Sequence, residues 1–144
     1  MSARFAIALV LNWLIVAVMF GVGVHYLVSK QLMPYHLRIL DVPWTDLTPR
    51  TRILILTLMK GTGMVGICTA VSLAVLLAIP FRGHEPWARW AILLVGATAL
   101  VPMLVGAVRV RSETGASAPW WPHVALLAAL TLAFWLAADL GRAA

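Results

Sequence analysis

Residues 53–79 read ILILTLMKGTGMVGICTAVSLAVLLAI, an apolar run with one charge, Lys60. A helix needs about 20 mostly apolar residues to cross roughly 30 Å of hydrocarbon, so this run is long enough to span a bilayer. Three more stretches have the same character: Phe5 to Leu27, interrupted by Asn12 and His25; Trp87 or Trp90 to Val108; and Trp120 to Leu140. A transmembrane barrel would alternate apolar and polar residues in segments of about ten, and no such pattern occurs. The predicted fold is therefore all-α, an integral membrane bundle of four transmembrane helices. They fall near 4–29, 49–79, 86–110 and 119–140 and form two helical hairpins in a single domain over 1–144. One longer interfacial loop joins helices one and two.

Composition agrees. The 144 residues are 62% hydrophobic and 11% charged, with a mean hydropathy of +0.95. Soluble domains are about 45–50% apolar and roughly a quarter charged, so these charges cannot cover a globule of this size. A soluble enzyme, a disordered linker and a nucleic-acid-binding module are excluded. Lys and Arg number 11 against 5 Asp and Glu, a formal charge of +6. In so apolar a chain this excess suits a lipid bilayer with anionic headgroups and no nucleic acid. The lone Cys68 cannot form an internal disulfide. The first stretch exceeds the usual 7–15 apolar residues of a signal peptide and lacks an A-x-A-like cleavage site, so it reads as a retained helix.

Local chemistry marks the boundaries. Thr48-Pro49 reads as an N-cap followed by a first helical proline. Pro80 is expected to close helix two, with Gly83 turning the short link Pro80–Pro86. Gly115 to Pro119 forms the last connection. Trp44, Trp87, Trp90, Trp120, Trp121, Tyr26 and Tyr35 gather at the helix ends as an interfacial aromatic belt. Residues 29–48 are expected to lie along the interface with a short helical turn. An even helix count puts both termini on one side of the cell inner membrane. Arg4, Arg82, Arg89 and Arg142 at one face against Lys30, Arg38, Arg50, Arg52, Arg109 and Arg111 at the other do not decide which side that is.

Ionisable groups inside spans are the functional candidates. Lys60 leads them as a ligand or substrate contact; its structural alternative is a snorkelling side chain paired with Asp41, Asp46 or Glu113. Alternating helix direction brings His25, His36, His123, Lys60, Arg109, Glu113, Tyr26 and Tyr35 to one face, which predicts a polar vestibule under the long loop. The alternative is that each group is merely interfacial and solvated. His25 and His123 without carboxylate or cysteine support do not amount to a haem or metal centre, so no metal and no cofactor is assigned. No catalytic residue is assigned either, because no triad, His-x-x-Glu-His or paired-carboxylate pattern occurs. Asp139 is the only acid within a span, at its very end. Gly61, Gly63, Gly66 and Ala70 in helix two, with Gly96 and Gly106 in helix three, read as helix-packing positions. Pro102 is expected to kink helix three, and Asn12 to hydrogen-bond across to a neighbouring helix.

The strings Met33-Pro34-Tyr35-His36, Trp44-x-x-Leu47-x-Pro49, Lys60-Gly61, Ile79-Pro80-Phe81-Arg82-Gly83, Trp87-Ala88-Arg89-Trp90 and Thr114-Gly115-Ala116 resemble a group of small bacterial four-helix integral membrane proteins without an assigned activity. The resemblance spans most of the chain and implies the fold but no site residues. Helix one lacks the glutamate of small multidrug exporters, and the Arg/Asn/Glu-rich motif of glutathione-using membrane enzymes is missing.

The leading expectation is a non-enzymatic packing or assembly component, bound to itself or to a larger membrane complex through Gly/Ala seams. A small-molecule or lipid-binding protein, or a transporter subunit using the one-sided vestibule, is the second reading. A membrane enzyme acting on a lipid or quinone headgroup is the third.

Overall fold

The computed structural model describes residues 2–40 and 42–138; Asp41, Asp139, Arg142 and the expected helix end at Leu140 lie outside it. The described chain is helical: α1 (Ala3–Val28), a single turn α2 (Pro34–Leu37), a 3₁₀ turn (Trp44–Asp46), α3 (Pro49–Leu76), α4 (Ala88–Thr114) and α5 (Trp121–Leu136). α1, α4, and α3 with its extension to Phe81 are long and apolar enough to cross a membrane, and α5 is a shorter apolar helix.

Each boundary has a local cause. The Ser2 hydroxyl accepts from the Phe5 N–H and caps α1. Thr48 does the same for Thr51, and Pro49 starts α3 where its missing N–H leaves no bond unmade. Gly115 ends α4 at φ 67°, a left-handed conformation glycine adopts without strain.

The expectation that Pro80 closes the second long helix needs correction. α3 continues through a wider π-type turn, Leu77–Phe81, with Pro80 inside it. The Arg82 N–H donates to the Leu77 carbonyl and the Glu85 N–H to the Pro80 carbonyl, five-residue spacings that accommodate the proline ring. The left-handed residue of this link is His84 (φ 61°) rather than Gly83.

Around the bundle, α1 lies between α3 and α5, and α4 also lies between α3 and α5. The α1–α3 interface is the most extensive. Along α3 the buried positions Met59, Gly63, Gly66, Ala70 and Leu73 recur every three or four residues, a continuous seam. Gly63 meets Gly23 of α1 there: a Cβ on either would lie 2.7 Å from the other's carbonyl oxygen. Gly23 was not among the expected packing positions. Gly66 and Ala70 continue the seam, and Gly96 of α4 receives the Leu130 side chain. Gly61 and Gly106 depart from the expectation, since a Cβ on either meets no atom within 4 Å; neither packs against another helix of this chain.

The hydrophobic core fills the half of the bundle away from the long loop. Phe5, Ile15, Leu73, Leu77, Phe81 and Leu130 are at its centre. The Phe5 ring stacks on Phe81 at 5.1 Å and on His84 at 4.6 Å, sealing that end. Asn12 is buried but does not bridge helices: its amide donates to the Ala8 carbonyl one turn back, at 3.0 Å. Arg89 lies over Trp90 and Phe134 at 5.7 and 5.1 Å, beside a crevice near Asn12 with no room for a water molecule. Because the Asn12 bond is intrahelical, Asn12→Leu is expected to change stability by less than about 1 kcal/mol, measured by unfolding in mixed micelles. A larger loss would reveal an interhelical bond.

Candidate functional site

The other half of the bundle is open. The loop begins with Leu32 and Met33, both buried against Met59 of α3. Pro34 fixes the first φ of α2, and the His36 and Leu37 N–H groups close the turn on the Met33 carbonyl. Arg38 donates to the Ser117 hydroxyl at 3.4 Å, tying the loop to the α4–α5 connection. Arg52 holds the rest of the loop, donating to the carbonyls of Leu47 (2.9 Å) and Thr45 (2.6 Å).

Beneath this loop is a cavity of about 610 Å³. α1 contributes Met19, Val22 and Tyr26 to its wall; α3 contributes Met59, Thr62 and Gly63. α4 adds Leu100, Met103 and Gly106, α5 adds His123 and Leu126, and the loop adds Tyr35 and His36. Leu58 and Thr62 on α3 and Gly106 on α4 belong to this wall yet are exposed, Leu58 by 64%. The cavity therefore opens sideways between α3 and α4.

Its polar groups cluster at the loop end. The Tyr26 and Tyr35 hydroxyls hydrogen-bond to each other, and the His36 ring lies 4.2 Å from the Tyr35 ring and 6.1 Å from that of Tyr26. His36 Nδ1 is buried without a partner among the described residues. His123 Nδ1 lies 3.2 Å from the Pro119 carbonyl oxygen. A carbonyl only accepts, so His123 carries a proton on Nδ1 and in its neutral form leaves Nε2 as an acceptor. The Thr62 hydroxyl donates back to the Leu58 carbonyl.

Burial, with the Tyr26 hydrogen bond second, pushes the Tyr35 hydroxyl above its ordinary range, and burial pushes the His36 imidazole below its own. Both are uncharged at neutral pH. Tyr26 and Tyr35 are the titratable groups whose rings meet His36. An imidazole with a lowered folded pKa binds fewer protons folded than unfolded, so its contribution is lost as pH falls through the unfolded value. Between about pH 7 and pH 5, amide protection factors in residues 32–40, corrected for the intrinsic slowing of exchange at lower pH, are expected to fall, and His36→Phe is expected to abolish that dependence.

The expected vestibule residues divide. Tyr26, Tyr35, His36 and His123 line the cavity. His25 is exposed, absent from the wall and not brought together with His123. Lys60 is exposed and makes no ion pair among the described residues; its neighbour Met59 is the one that turns inward. Arg109 and Glu113 pair with each other at 2.8 Å on the outer surface, with side chains 74% and 61% exposed. The charged members of the set thus stay outside.

Tyr26 and Tyr35, expected both in the aromatic belt and on the vestibule face, form the polar end of the cavity. Trp87, Trp90, Trp120 and Trp121 remain exposed near helix ends. Compared with known protein families, characterised proteins and solved structures, the chain matches none.

Proposed function

We propose that this chain is a multi-pass inner-membrane protein, four helices crossing with both termini on one side, that binds a small apolar molecule or lipid between its helices. The observation that carries the reading is the cavity of about 610 Å³, walled by α1, α3, α4 and α5 and open toward what would be the bilayer between α3 and α4. Binding sites for small ligands are typically concave, about 300–1,000 Å³ and mostly apolar, with a few placed polar groups. Leu54, Val65, Val101 and Val105 lie exposed on α3 and α4, which supports a lipid surround.

The assembly reading keeps only part of its seam: Gly63, Gly66, Ala70 and Gly96 make contacts within the chain, which leaves Gly61 and Gly106 open to a partner. No group in the cavity wall demands turnover, and binding without catalysis accounts for the arrangement.

Gly106→Leu tests the proposal. Open space surrounds the missing Cβ, and leucine favours a helix over glycine, so the variant is expected to fold. Its side chain would compete with an occupant of the cavity. Native mass spectrometry of protein released from its own membranes is expected to show a retained apolar species. The variant, and Ala107→Phe beside it, should lose about tenfold or more of that occupancy, as a 1–3 kcal/mol overpacking clash implies. Identical occupancy in all three proteins would refute the reading.

A further inference from the structure

The cavity also constrains its occupant chemically, and the following rests on the ligand-binding reading above. Among the described residues its wall contains no Asp, Glu, Lys or Arg; Lys60, Arg109 and Glu113 lie outside it. An ionised headgroup there would be buried without a counter-charge, which is strongly unfavourable. The wall is not featureless, because donors and an acceptor converge at the loop end.

Two tyrosine hydroxyls carry two hydrogens, and their mutual bond uses one. The second remains as a donor. His36 makes no side-chain hydrogen bond through Nδ1, and a buried bare acceptor is tolerated better than a buried bare N–H. That places its proton on Nε2, a further donor. His123 Nε2, fixed as an acceptor by the Pro119 carbonyl, supplies the complementary group. The remaining wall toward the side opening is Leu58, Met103, Gly106 and their apolar neighbours.

From this arrangement we infer that the cavity takes an uncharged lipid whose head carries a hydroxyl. The head oxygen accepts from the tyrosine pair or His36, its O–H donates to His123 Nε2, and the tail leaves between α3 and α4. A diacylglycerol and a hydroquinone with an isoprenoid or alkyl tail share this chemistry. Thr62, whose own hydrogen is held by the Leu58 carbonyl, offers only lone pairs on the same wall.

The test uses the full-length protein in phosphatidylcholine nanodiscs, with bound fractions read by native mass spectrometry. The probes are dioctanoylglycerol, its methyl ether at the free hydroxyl, dioctanoyl phosphatidate and, under argon, decylubiquinol. At least one of the two hydroxyl lipids is expected to bind, and the tighter one identifies the source. The methyl ether should bind about tenfold more weakly than dioctanoylglycerol for loss of one hydrogen bond, and phosphatidate about a hundredfold more weakly for its buried charge. His123→Phe should erase the difference between dioctanoylglycerol and its ether while leaving ether binding in place, a result that a merely structural role for His123 would not produce.

Phosphatidate binding as tightly as dioctanoylglycerol would overturn the neutral-head inference and leave the cavity reading standing. So would an unchanged hydroxyl-to-ether ratio in His123→Phe. Failure of all four probes, together with equal occupancy in the Gly106→Leu protein, would remove the ligand-binding reading itself.

Discussion

Gly63→Ala, a change that normally strengthens a helix, is expected to weaken this protein by about 1–3 kcal/mol. The reason is the α1–α3 crossing. A Cβ at position 63 would lie 2.7 Å from the Gly23 carbonyl oxygen and 2.8 Å from Tyr26 Cβ. The first of those is backbone, so relief requires the helices themselves to separate. Gly23→Ala meets the Gly63 carbonyl from the other side and should cost a similar amount. Because both substitutions push the same two helices apart, the double variant should fall short of the sum. Controls lie in the same chain: Gly61→Ala and Gly106→Ala enter open space and should be neutral or gain up to about 1 kcal/mol of helix propensity. Gly96→Ala should lie between, since its obstacle is the end of the Leu130 side chain rather than backbone. Reversible unfolding in mixed micelles measures all six variants. Gains at every position would mean that the close crossing does not exist.

Phe81→Ala is expected to cost about 3–5 kcal/mol, the usual range for deleting a buried aromatic ring. Phe81 is 1% exposed at the end of the π-type turn and stacks on Phe5, which in turn stacks on His84. Removing the ring opens the sealed end of the bundle between α1 and the α3–α4 link. The same micelle unfolding assay should show the loss, and amide exchange should localise it to residues 5–12 and 77–92. The proposed binding at the loop end should persist in the folded fraction, because Phe81 and the cavity lie in opposite halves. A loss below about 1 kcal/mol would show that lipid tails fill the gap as well as the ring does.

Some of the site is legible in the sequence. His36 and His123 can be placed at one end of the chain's hairpins because helix direction alternates. Their neighbours could not be sorted the same way. Lys60 sits next to Met59, yet one side chain points outward and the other into the cavity. His25 adjoins Tyr26 with the same outcome. Adjacent residues on a helix are about 100° apart, so one position of rotation decides whether a group enters the cavity. In a soluble amphipathic helix the apolar stripe fixes that rotation, but a helix that is apolar all round leaves it unspecified.

Length and composition alone therefore dictate an all-helical chain with apolar rods of spanning length, and Thr48-Pro49 and Gly115 set where two of them begin and end. The Gly63, Gly66 and Ala70 spacing marks a seam without naming its partner. Only the tertiary structure identified that partner as Gly23 on α1, left Gly61 and Gly106 unpacked, and opened a space between α3 and α4. It also separated uncharged lining groups from charged outer ones. The cause is common to all of these. Apolar side chains specify that helices are buried in something, whereas the rotation and spacing that make a cavity arise from steric fit between helices, which no single segment encodes.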